Sequence, residues 1–118
     1  MRVIAELCVV PLGVGVSVSR HVAACERVLA AAGLRHELHA NGTNVEGEWD
    51  AVLAAVKRCH ETVHEMGAVR IMSTLHLHTR TDRVQTMAQK VASVRARQAG
   101  VPVASRRRVR GAVSGIQT

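Results

Sequence analysis

The chain has 118 residues, the size of one domain, and 47% of them are apolar, enough to bury a core. With no Phe or Tyr and a single Trp, that core must be built from Val, Ala, Leu and Ile, and a pocket resting on ring stacking is disfavoured. The formal charge of +7 is uneven: residues 1–98 carry twelve basic side chains against nine acidic ones, and the last twenty add four arginines and no acid.

Residues 2–11 alternate, with Val3, Ala5, Leu7 and Val9 on one side and Ile4, Glu6, Cys8 and Val10 on the other. Both sides are largely apolar, which predicts a central strand, ended by Pro11, Gly13 and Gly15. Ser17 or Ser19 is placed to cap a helix running to about Ala32, with the stripe Val18, Val22, Cys25, Val28, Leu29. Gly33 stops it. Strands follow at 34–41 and 43–47. A second helix spans about 49–66, stopped by Gly67. A fourth strand covers 68–79, with Val69, Ile71, Ser73, Leu75 and Leu77 on one side and Met72, Thr74, His76 and His78 on the other. A third helix is expected near 86–98, with Thr86 as its cap and Gly100 and Pro102 beyond it.

Strand, helix, strand, strand, helix, strand is the split βαβ pattern of a ferredoxin-like α+β sandwich, here with an extra C-terminal helix. Right-handed crossovers place both helices on one sheet face, with strand order 4-1-3-2. The sandwich is expected over residues 1–98, followed by a basic flexible tail at 99–118.

Alternation then sends Glu6, Cys8, Thr74 and His76 to the uncovered face, and Glu46 with them if Val45 points into the core. Two carboxylates in central strands are costly unless paired or solvated. A cationic ligand would relieve them, and so would an arginine across a subunit interface. Ser17 and Ser19 at a helix start could face an anion or simply cap. Thr43 after Gly42 serves either the turn or a ligand.

Other patterns carry less. His60-Glu61-Thr62-Val63-His64 matches the H-E-x-x-H zinc motif, but His60 falls in the apolar stripe with Val56 and Val63, so it should face the sheet rather than a metal. His36, His39, His76 and His78 are read as solvated. Cys8, Cys25 and Cys59 lack zinc or disulfide spacing and are read as reduced thiols in a cytoplasmic protein. Glu6 breaks the first apolar run, so no signal peptide is expected. No stretch approaches the roughly 18 apolar residues of a membrane span. The cluster Arg106, Arg107, Arg108, Arg110 could touch phosphates, but no aromatic accompanies it for base stacking. A solvated tail is the plainer reading, and nucleic acid is not the expected partner.

The opening Ile4-Ala5-Glu6, Val9, Pro11-Leu12-Gly13, Ser17 and Ser19, together with Glu37-Leu38, Gly42-Thr43 and Glu46-Gly47, resembles the small thiamine-binding protein family over about residues 2–98. The resemblance implies a non-enzymatic binder of thiamine or its hydroxymethylpyrimidine moiety. It also implies a homotetramer of ferredoxin-like subunits, with no catalytic residue, metal or cofactor. Glu6 and Glu46 would then form the ligand site, with Ser17, Ser19, Thr43 and Thr74 as hydroxyl contacts. Histidines at 21 and 36 stand where the family often has an aromatic. The alternatives are an oligomeric interaction protein without a small-molecule ligand, or nucleic-acid association through the basic tail.

Overall fold

The computed structural model describes residues 1–100. They fall into two compact units, Met1–Asp82 and a second beginning at Arg83. The first unit holds β1 (Arg2–Leu12), α1 (Ser19–Ala31), β2 (Arg35–His39), β3 (Gly42–Glu48), α2 (Trp49–Glu65) and β4 (Arg70–His78). The second holds α3 (Met87–Gln98), whose Thr86 and Gln89 form a reciprocal capping box. The basic cluster and the expected flexible tail lie outside the described residues.

The four strands make one antiparallel sheet in the order β2-β3-β1-β4. This is the expected ferredoxin-like arrangement. Val3, Ala5, Leu7 and Val9 are buried, and Val45 is fully so. They face α1 and α2, which contribute Leu29, Val52, Ala55, Cys59 and Val63 to the core. The α2 residues recur at spacings of three and four, one stripe of a helix. Both helices end on a left-handed glycine, Gly33 at φ 72° and Gly67 at φ 105°. These bends let Leu34 N–H and Ala68 N–H reach back to the Leu29 and Val63 carbonyls.

The start of α1 differs from expectation. Its N-cap is Val18, with no side-chain cap bond, and the Ser17 and Ser19 hydroxyls face each other at 3.3 Å. Neither serine caps the helix. Nor does Pro11 end β1: it pairs with Ile71, and the strand runs on to Leu12.

The register decides what lies where. β3 pairs with β1 only from Arg2↔Glu48 to Leu7↔Thr43. β4 pairs with β1 from Ile4↔His78 to Leu12↔Arg70. β1 therefore has two neighbours from Ile4 to Leu7 and only β4 from Cys8 onward. β3 stops because it turns into β2 through the two residues Ala40 and Asn41, closed by the pair His39↔Gly42. Gly42 sits so near β1 that a Cβ there would lie 2.8 Å from the Leu7 carbonyl oxygen, so the close approach requires glycine.

Candidate functional site

Where β3 ends, a cavity of about 310 Å³ opens beside β1. Its walls are Leu7 to Val10 of β1, the N-cap Val18 with Val22, Cys25 and Glu26 of α1, and the hairpin from Leu38 to Thr43. This volume is at the lower end of the ~300–1,000 Å³ usual for small-molecule pockets. The lining is mostly apolar, with Glu26 as its one carboxylate and neither Lys nor Arg among the described lining residues.

One oxygen of Glu26 is hydrogen-bonded and the other faces a histidine ring. The Thr43 hydroxyl donates to its Oε2 at 2.6 Å, and His36 Nε2 lies 3.9 Å from its Oε1. His36 Nδ1 donates to the Leu34 carbonyl at 2.8 Å, so Nε2 carries a proton toward Glu26 only in the imidazolium form. A second ring stands at the cavity wall. His39 Nδ1 accepts from Asn41 N–H at 3.3 Å, which leaves the proton on Nε2, 3.2 Å from Glu6 Oε2. Behind the wall, Cys59 is fully buried and its thiol donates to the Cys25 carbonyl at 3.8 Å. Its hydrogen bond to the Cys25 side chain, reinforced by burial, pushes the Cys59 thiol well above its ordinary range. All three cysteines are free.

The sequence-predicted site residues are not brought into one place. Glu6 and Glu46 do share the sheet face opposite α1 and α2, since Glu6 lies opposite Asn44, and Ile4 opposite Glu46. Their partners differ. Glu6 lies between His39 and His76, whose Nδ1 is 3.4 Å from Oε1. Glu46 is only 3% exposed and faces Arg35 Nε at 3.5 Å. Thr74 stands on that face beside Cys8. Thr43 does not: it lies opposite Leu7 and points to the helix layer, where it meets Glu26. Ser17 and Ser19 are exposed, and neither lines the cavity.

Glu26 is the residue the sequence reading missed. It lies beside the α1 stripe, at i+4 from Val22 and next to Cys25. One turn of helix thus brings a carboxylate to an otherwise apolar wall, a signal visible only once the β3 end is known. The H-E-x-x-H pair is committed elsewhere. His60 faces the sheet, with Nε2 2.7 Å from Ser73 Oγ, and His64 Nδ1 donates to the Ala68 carbonyl at 2.8 Å. Among the described residues, no three His, Cys, Asp or Glu side chains converge as a metal site needs. No described helix is long and apolar enough to cross a membrane. His21 is buried, with neither ring nitrogen bonded to a described residue.

The model of the family described as thiamine-binding protein matches residues 5–95. A UPF0045 protein of Synechocystis is 66% identical over 94 residues, covering 80% of this chain and 78% of its own. A solved structure of a hypothetical protein from Methanocaldococcus jannaschii superposes with a TM-score of 0.74 at 35% identity, over 79% of this chain and 95% of its own. At 20% identity, a Thermotoga maritima protein whose thiamine biosynthesis or salvage role is itself a proposal shares the fold, with a TM-score of 0.69 over 80% of this chain and 99% of its own. With a family match across most of its length and relatives well above a third identical, the chain belongs to the thiamine-binding protein family.

Proposed function

We propose that this protein binds thiamine, or its hydroxymethylpyrimidine moiety, in the cavity at the end of β3, as a cytoplasmic, non-enzymatic binder. One observation carries the reading: a small apolar cavity holds a single carboxylate, Glu26, fixed by Thr43 and faced by no cation of its lining. A cationic or amino-substituted heteroaromatic ring fits that chemistry. Its apolar faces meet Leu7, Val9 and Val22, and its donors meet Glu26. A charged hydrogen bond of this kind contributes about 1.5–3 kcal/mol net. The family membership and the fold shared with the Thermotoga protein support thiamine as the class.

The absence of Lys and Arg from the described lining favours unphosphorylated ligands, because a phosphate needs cationic or amide donors. In this reading Glu6 acts at one remove by holding His39 at the wall, Glu46 belongs to an ion pair with Arg35, and Thr74 has no part in the cavity. The protein is also proposed to be a homotetramer. The outer edge of β4 has no strand partner among the described residues, and Met72 and Leu77 on that strand are exposed, a surface suited to a second subunit.

Calorimetry against thiamine, thiamine phosphate and hydroxymethylpyrimidine tests the reading. Binding of the unphosphorylated compounds, weaker for the phosphate and reduced in Glu26→Gln, is the expected result. No heat with any of the three overturns it. Light scattering at micromolar concentration tests the assembly, and a mass near 12.7 kDa contradicts the tetramer.

A further inference from the structure

Beyond Leu7, β1 pairs with β4 alone and has no strand on its β3 side. The Leu7 carbonyl points toward β3, since it is the atom a Cβ on Gly42 would strike. Backbone N–H and C=O directions alternate along a strand. Residues 7, 9 and 11 therefore aim their backbone groups to the β3 side, and Cys8, Val10 and Leu12 aim theirs at β4. Pro11 is an independent check on this assignment. It has no N–H and sits within the β4 ladder, which is tolerated only where its nitrogen faces away from the partner strand.

Leu7 is matched by Thr43, the last β1 partner on β3. Val9 is beyond the end of β3, and none of the turn or loop backbone bonds among the described residues reaches it. Val9 also lines the cavity, together with Glu26. A polar backbone pair at an apolar wall is costly when it has no partner.

We propose that the Val9 N–H and C=O form a two-point docking edge for a planar donor–acceptor group of the ligand, the N=C–NH₂ edge of a 4-aminopyrimidine, with Glu26 as the charged acceptor beyond it. Val9 N–H donates to the ring nitrogen, and the exocyclic amino group donates to the Val9 carbonyl. The ring then continues the sheet where β3 leaves off. An extended peptide is the weaker occupant. A strand needs a run of donors, and this edge offers one N–H, because Leu7 is already paired and Pro11 has none. The inference rests on the cavity being the ligand site and specifies which edge of the ligand the protein reads.

The test uses the full chain, with residue-resolved amide exchange beside calorimetry. The probes are 4-amino-5-hydroxymethyl-2-methylpyrimidine and its analogue lacking the 4-amino group. Saturation with the amino compound is expected to slow Val9 exchange at least tenfold while Cys8 and Val10, bonded to β4, change little. The deamino analogue is expected to bind about tenfold more weakly. Calorimetric binding with an unchanged Val9 amide overturns the docking edge and leaves the binding function standing. Binding of both compounds with equal affinity does the same. No heat from either probe, nor from thiamine, overturns both. Protection of Val9 by an added strand-forming peptide but not by the pyrimidine assigns the edge to a peptide and sinks the proposal.

Discussion

The two halves of β1 look alike in sequence and do different work. From Ile4 to Leu7 the strand is flanked on both sides, and the inward residues Val3 and Ala5 of this half pack with Leu29, Val45 and Val52. From Cys8 to Leu12 only β4 is beside it, and the vacant side is a cavity with a carboxylate in its wall. Each half has alternating apolar residues, so hydrophobic pattern does not separate them. What separates them is the length of a neighbour: β3 is cut short by its turn into β2. Completing a ladder gives stability, and leaving one incomplete gives a concave place with polar backbone on offer.

The largest expected effect breaks the closed half. Leu29→Ala empties a side chain 1% exposed at its centre. Chemical denaturation is expected to show a loss of about 2–5 kcal/mol, and a loss under 1 kcal/mol would mean this half is not the core. In the open half, Glu26→Gln should leave the denaturation midpoint nearly unchanged and weaken thiamine binding roughly ten- to a hundredfold in calorimetry. The reverse pattern, intact binding with lost stability, would make Glu26 a structural partner of Thr43 and nothing more.

The joint between the halves is Gly42. Gly42→Ala forces the hairpin off the Leu7 carbonyl and is expected to cost about 1–3 kcal/mol, with faster amide exchange at Leu7 and Thr43. Wild-type exchange there would show that the end of β3 is not set by this contact. The smallest effect is Glu6→Gln. Glu6 and His39 are partly exposed, and such pairs contribute about 0.2–1 kcal/mol. Affinity should therefore change no more than about fivefold; a hundredfold loss would restore Glu6 to direct ligand contact.

Some of the site was legible beforehand. Alternation placed Glu6 and Glu46 on one face correctly, because a strand's side chains alternate regardless of what surrounds it. It gave no warning that Glu46 would lie against Arg35, which comes from β2 and is brought opposite only by register. Thr43 was grouped with Glu6 and Glu46, but its hydroxyl belongs to the other face, where it donates to Glu26. Ser17 and Ser19 follow a good sequence rule for caps, and the helix begins on Val18 all the same. Local rules rank residues for such positions, while the path of the preceding loop picks which one is used.

The sequence by itself determined the element order, the buried faces of β1, α1 and α2, the ferredoxin-like topology and the family, since all of these rest on periodicity, turn glycines and short motifs. Only the tertiary structure decided where the cavity is. It lies at the point where β3 turns away from β1, and its polar side chains come from α1 and from the β2–β3 hairpin. Register and the termination of a neighbouring strand are properties of pairs of segments, so no single segment's pattern can report them.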